Sequence, residues 1–192
     1  MIPFVVAWIL WTAQACTCLP AMEHGGWCDV HEVGYLASIE IPSEKLFEAL
    51  DAHGHEVDPD SFQCETCRHA LATDGFCEDH RIGFLNGQAY FSRLTHVLSR
   101  GTIKPAREID CPSCRAHAED HGWCEAHGIG MIGNVAIEDR QAYEHAVESI
   151  RILREAIRAA ERCEHCAVAI QTDTTCPRCR IRYRNGEPVD TE

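Results

Sequence analysis

The chain has 192 residues, thirteen of them cysteine and twelve histidine, with a formal charge of −13. That charge argues against a nucleic-acid-binding surface, which needs Lys and Arg to neutralise phosphates. A hydrophobic content of 45% excludes a chain disordered by composition, and so many thiols and imidazoles on an acidic protein point to cation handling.

Residues 1–15, MIPFVVAWILWTAQA, carry no charge and end in Ala13-Gln14-Ala15. A short apolar run closed by small residues reads as a secretory leader cut after Ala15, which sends the protein to the periplasm or outside the cell. A buried first strand is the alternative. A membrane span needs roughly 20 apolar residues, so none is expected in the mature chain. Cleavage would leave Cys16 first, which raises a lipid anchor on Cys16, though Ala-Gln-Ala is a poor lipobox.

Four ligand clusters then follow in order. Cys16 and Cys18 precede nine residues and Cys28-Asp-Val-His31. Cys64-Glu-Thr-Cys67 precedes nine residues and Cys77-Glu-Asp-His80. Cys111-Pro-Ser-Cys114 precedes nine residues and Cys124-Glu-Ala-His127. Cys163-Glu-His-Cys166 precedes nine residues and Cys176-Pro-Arg-Cys179. This internal repeat uses all thirteen cysteines. It makes three Cys₃His sets and one Cys₄ set, the donor sets of structural zinc, so about four Zn²⁺ ions are expected. A disulfide framework would leave one of the thirteen thiols over and would not tolerate His in place of Cys.

Between ligand pairs, nine residues suffice for a strand, a turn and a return. His24-Gly25-Gly26, Asp74-Gly75 and His121-Gly122 are the expected hairpin turns, and the aromatic before the third ligand (Trp27, Phe76, Trp123) could cover the metal or pack in a core. After the fourth ligand, Val33-Gly34-Tyr35-Leu36, Ile82-Gly83-Phe84-Leu85 and Ile129-Gly130-Met131-Ile132 read as strands, with Gly where backbone passes close to the metal site. Helices follow. Ser43 caps Glu44 to Leu50, which stops near Gly54, and Ser92 caps a second helix that stops at Gly101. The third runs from about residue 138 to 162, with Tyr143, Val147, Ile150, Ile157 and Ala160 at helical spacing. Linkers at 51–62 and 101–110 separate the units. The divisions are a leader at 1–15, modules at 16–60, 61–104, 105–162 and 163–187, and a tail at 188–192.

The C-x-x-C, short spacer, C-x-x-C/H pattern, with Cys-Pro-x-Cys at Cys111 and Cys176, resembles zinc-ribbon or double-zinc-ribbon modules. The resemblance implies a small metal-stabilised α+β fold: four tandem zinc-ribbon-like β-hairpin modules linked by helices, with one long helix in the C-terminal half. Cys16, at C-x-C spacing, departs from the pattern. The first cluster is also similar to [2Fe–2S] CDGSH-type proteins, but the spacing from Cys28 to His31 is one residue short and no Gly follows Asp29.

Nine further histidines fall outside the primary sets: His24, His53, His55, His69, His96, His117, His121, His145 and His165. His53-Gly-His55, beside Asp51, Glu56, Asp58 and Asp60, could capture a labile metal or be simply polar loop. Arg178, Arg180, Arg182 and Arg184 offset the charge of the Cys₄ set or form a docking stripe. A catalytic zinc keeps one position open. Each set here has four donors, and no His-Glu-x-x-His helix, phosphate loop or nucleophile elbow occurs, so no enzyme is expected. Two functions remain: a zinc-held scaffold that binds a partner protein, or an envelope protein that sequesters or buffers zinc, copper or another soft ion.

Overall fold

A computed structural model describes residue 16 and residues 18–189; the predicted leader, residues 1–15, lies outside the described residues. The first unit comprises α1 (Cys18–His24), β1 (Gly26–Cys28), β2 (Val33–Leu36), β3 (Ile39–Ile41) and α2 (Glu44–Leu50). The second runs β4 (His55–Glu56), a 3₁₀ turn at Pro59–Ser61, α3 (Glu65–Ala72), β5 (Phe76–Cys77), β6 (Ile82–Leu85), β7 (Gln88–Tyr90) and α4 (Arg93–Arg100). The third repeats that order as β8 (Thr102–Ile103), a 3₁₀ turn at Ala106–Glu108, α5 (Pro112–Asp120), β9 (Trp123–Cys124), β10 (Ile129–Ile132), β11 (Val135–Ile137) and α6 (Arg140–Ala160). The fourth is α7 (Glu164–Thr172), β12 (Arg182–Arg184) and β13 (Glu187–Val189). The chain is thus a small α+β protein whose strands form several small antiparallel sheets.

The nine-residue spacers depart from the expected hairpin. After the first two ligands the chain turns into helix: α3, α5 and α7, with Cys64, Cys111 and Cys163 at their N-caps. Their sequences explain this, because Arg68-His-Ala-Leu-Ala, Arg115-Ala-His-Ala-Glu and Ala167-Val-Ala-Ile-Gln are rich in Ala and other helix formers and carry no β-branched run. The Gly residues expected in hairpin turns end helices instead. His121 is left-handed at φ 59°, and Gly122 N–H closes on His117 O at 3.1 Å. The tight two-residue turns lie after the fourth ligand, at Ala37-Ser38, Asn86-Gly87 and Asn185-Gly186, where both residues are left-handed. The proposed boundaries shift as well. Strand β4 pairs with β7 and β8 pairs with β11, so residues placed in linkers belong to the sheets of the following modules.

Several helix signals hold at the atom level. Ser43 Oγ accepts from Leu46 N–H at 3.3 Å, and α2 stops at the left-handed Asp51 rather than at Gly54. Asp139 Oδ1 accepts from Ala142 N–H at 2.6 Å at the head of α6. Ser92 stands at the N-cap of α4, but its hydroxyl makes no cap bond.

The second-place Gly of each β2-type strand does not face the metal. A Cβ on Gly34 would lie 2.3 Å from the Phe47 ring, on Gly83 2.2 Å from the His96 ring, and on Gly130 2.1 Å from the Tyr143 ring. Phe47, His96 and Tyr143 each stand four residues after an N-cap (Ser43, Ser92, Asp139), so each helix lays one ring flat on the bare backbone of its own strand. The aromatic before the third ligand packs on that ring: Trp27 on Phe47 at 5.6 Å, Phe76 on His96 at 5.8 Å and Trp123 on Tyr143 at 5.3 Å between centroids. Neighbouring strand residues face opposite ways, so the aromatic takes the helix side while the cysteine beside it takes the metal side.

Helix α6 joins the units. One core cluster takes Leu46 and Leu50 from α2, Leu94 and Val97 from α4, Ile150, Leu153 and Ala156 from α6, and Cys166 and Ile170 from α7. Its buried stripe is Ala142, Tyr143, Ala146, Ser149, Ile150, Ile152, Leu153 and Ala156. Val147, expected on that stripe, is exposed. The second unit keeps a separate small core of Cys67, Ala70, Cys77, Phe84 and Ala89. Bonds across the units include Lys45 Nζ–Glu164 Oε2 at 2.7 Å, Arg107 Nη1–Glu23 Oε1 at 3.1 Å, and an Arg81–Asp173 pair.

Candidate metal centres

The structure brings together each of the four predicted donor sets: Cys16, Cys18, Cys28 and His31; Cys64, Cys67, Cys77 and His80; Cys111, Cys114, Cys124 and His127; and Cys163, Cys166, Cys176 and Cys179. Within each set all ligand atoms lie within 4.8 Å of one another. The C-x-C spacing of the first set is no obstacle, because Cys16 lies just before α1 while Cys18 begins it.

The spacings suit a four-coordinate ion. Sulfur at about 2.3 Å and nitrogen at about 2.0–2.1 Å from a tetrahedral centre stand about 3.5–3.8 Å from each other. His31 Nδ1 lies 3.4, 3.1 and 3.6 Å from the sulfurs of Cys16, Cys18 and Cys28. His80 Nδ1 lies 3.3 and 3.7 Å from Cys67 and Cys77, and His127 Nδ1 3.3 and 3.5 Å from Cys114 and Cys124. In the fourth set Cys163 Sγ is 4.0 Å from Cys176 Sγ and 3.9 Å from Cys179 Sγ. A disulfide holds its sulfurs about 2.05 Å apart, and all thirteen cysteines are unbridged.

Local structure places these donors. In three sets the first Cys caps a helix and the second sits at its third residue, so both sulfurs lie at the positive helix end, which favours thiolate. Cys67 N–H points at Cys64 Sγ at 3.4 Å, and Cys179 N–H at Cys176 Sγ at 3.3 Å. In the first three sets the third Cys ends a short strand, and a tight turn carries the fourth ligand back: His31 N–H reaches Cys28 O at 3.3 Å and His127 N–H reaches Cys124 O at 3.2 Å.

The electrostatics suit a cation. Burial, then the neighbouring Cys77 and Cys64, push the Cys67 thiol up to about 12, while the Cys67 N–H pulls Cys64 down to about 7. Burial and Cys124 likewise push Cys114 up to about 12. Cys124, despite its own burial, is drawn down to about 6 by Cys114 and His127. Thiols this close cannot all ionise without a positive charge among them, which a divalent ion would supply. Two phenols lie against the sulfurs and carry no signal in the spacing pattern. Burial and the adjacent Cys166 push Tyr183 up to about 12, and burial and Cys18 raise Tyr35.

The other histidines divide. His96 is buried, with Nε2 3.0 Å from Phe84 O, and His121 Nδ1 accepts from Gly133 N–H at 3.0 Å; burial lowers both imidazoles. Both are structural. His53, His55 and Asp51 converge on the surface. Arg178, Arg180, Arg182 and Arg184 are exposed around the buried Tyr183. No helix among the described residues is long and apolar enough to cross a membrane. Compared with known proteins, the chain matches no protein-family model, no curated protein and no solved structure.

Proposed function

We propose that the chain is a non-catalytic protein holding about four zinc ions, each with a structural role, and that the zinc-held body is a scaffold for a partner protein. The observation that carries this reading is the convergence of four complete four-donor sets, which leaves no ligand position for water or substrate at any of them. The donors fit zinc because mixed thiolate and imidazole in tetrahedral array is its preferred set. Units this small lack a sufficient core, and structural zinc contributes an apparent ~10–16 kcal/mol in finger peptides. The zinc-ribbon resemblance extends to the ligand pattern and not to the helical spacers.

Metal analysis of protein purified without added metal, combined with a thiol count, tests the reading. About four zinc ions with thirteen reduced cysteines are expected. Two or fewer metals alongside several disulfides would refute it. We read residues 1–15 as an export leader, which N-terminal sequencing of protein from an envelope fraction would check.

A second reading, sequestration or buffering of a soft ion in the envelope, is favoured by one feature: the last ligand of every set, His31, His80, His127 or Cys179, is exposed. Exchange with a chromogenic chelator separates the two. A scaffold gives up zinc only as it unfolds, whereas a buffer gives it up with its helices intact.

A further inference from the structure

We infer a fifth metal site, separate from the cysteine clusters: an open, exchangeable centre made by Asp51, His53 and His55 at the corner between α2 and β4, suited to a borderline divalent cation such as Zn²⁺, Ni²⁺ or Cu²⁺. Asp51 is held by the fold. It is the left-handed C-cap of α2, φ 49°, and its N–H is bonded to Glu48 O at 3.1 Å. Its carboxylate faces both rings, Oδ2 lying 2.7 Å from His55 Nε2 and Oδ1 3.3 Å from His53 Nδ1. His55 is fixed in turn by the pairing of β4 with β7, opposite Ala89, and its ring rests 5.1 Å from that of Phe91.

Gly54, between the two histidines, lies close against Gln88. A Cβ there would meet Gln88 Oε1 at 2.5 Å and Gln88 Cβ at 2.9 Å, so a larger residue would push the Gln88 side chain aside. The rings stand 4.4 Å apart. Donors at about 2.0–2.2 Å from one ion lie about 2.8–3.6 Å from each other, so the 3.3 Å contact suits an ion as it stands, and the 2.7 Å hydrogen bond between His55 and Asp51 lengthens slightly when metal replaces its proton. Two imidazoles and a carboxylate select first-row ions from nickel to zinc over calcium and magnesium, which prefer all-oxygen shells.

Three protein donors leave positions for water, and the His53 side chain is 73% exposed, so this centre differs in kind from the four closed sets. It fills after them and empties before them. Its existence does not depend on the scaffold reading, since no cysteine contributes to it.

The test uses the untagged full chain with its cysteine clusters already zinc-loaded and excess metal removed. Calorimetric titration with Zn²⁺, and separately with Ni²⁺, should show one further equivalent, bound more weakly than the resident ions. His53→Ala/His55→Ala should weaken it at least tenfold while the resident zinc stays unchanged. Asp51→Asn, which tolerates the left-handed cap and keeps the size, should weaken it without unfolding the chain. A control variant, His24→Ala/His117→Ala, should leave it intact. Absence of a further equivalent, or one that survives in His53→Ala/His55→Ala, overturns the proposal.

Discussion

Gly130 and Tyr143 show how a single atom sets the packing of a whole unit. The ring lies where a Cβ would be, 2.1 Å from its ideal position, and the Tyr143 hydroxyl donates to His121 O at 2.8 Å. Gly130→Ala should therefore cost about 1–3 kcal/mol, the usual range for overpacking. Its cost should be smaller in a Tyr143→Ala background, because the clash is with that ring. Denaturant unfolding of the four proteins measures this, and strict additivity would disprove the contact. His96 fills the same place with a titratable ring. Burial holds its imidazole below the ordinary value, so the unfolded chain binds the proton more readily. Its contribution is complete above the unfolded value of about 6.5 and is lost as pH falls from there toward the lower folded value. His96→Phe, copying Phe47, should lose about 1 kcal/mol at pH 8 with the bond to Phe84 O but lose less on acidification than the parent. The metal ligands titrate alike in both proteins and cancel in the difference between their unfolding midpoints; equal pH dependence would refute the assignment.

In the second and third units the helix after the sheet begins with an arginine poised over the aromatic that precedes the third ligand. Arg93 lies 4.0 Å over the Phe76 ring and pairs with Glu78, and Arg140 lies 4.6 Å over Trp123 and pairs with Glu125 at 3.5 Å. The first unit breaks the rule. Its equivalent residue is Glu44, near Trp27, Asp29 and Glu32. Arg140→Ala should cost about 0.5–1 kcal/mol, as expected for a partly exposed cation–π contact. Glu44→Arg should stabilise the chain by up to about 0.5 kcal/mol, the stacking and acidic neighbours outweighing a loss of roughly 0.3 kcal/mol or more at the positive helix end. The gain should shrink in high salt. Thermal denaturation at two salt concentrations checks both variants, and a destabilised Glu44→Arg would show that the first unit's geometry differs from the others.

At the scale of the molecule, the units are unequal. Cys67 belongs to the small separate core of the second unit, whereas Cys166 lies in the cluster that α6 shares with α2, α4 and α7. Cys67→Ser should remove one zinc and leave the other three. Cys166→Ser should lower stability throughout and shed more than one. Metal content and the thermal midpoint distinguish these outcomes, and loss of all four ions in Cys67→Ser would mean that the centres form one cooperative unit. Stripping all zinc should lower the helical circular dichroism signal by at least the share of α3, α5 and α7, helices of 8, 9 and 9 residues that begin on their own ligands.

The donor sets were legible because tetrahedral coordination demands a few donor types at short, repeated spacings, and a repeat makes such spacings visible. Ser43 and the apolar period of α6 were legible for a similar reason: caps and helical faces are local. The spacer was not, since nine residues between ligand pairs can close the same tetrahedron as a hairpin or as a helix and strand, and only the alanine-rich composition separates the two. Nor could spacing show that Gly34, Gly83 and Gly130 make room for rings thirteen residues onward, that β4 and β8 join the sheets of the following units, or that His96 is buried while His55 meets Asp51. Those features depend on which surfaces meet after the metal-bound units pack around α6. The ligand chemistry was written in local sequence; the arrangement of the units was decided by side-chain packing between distant segments.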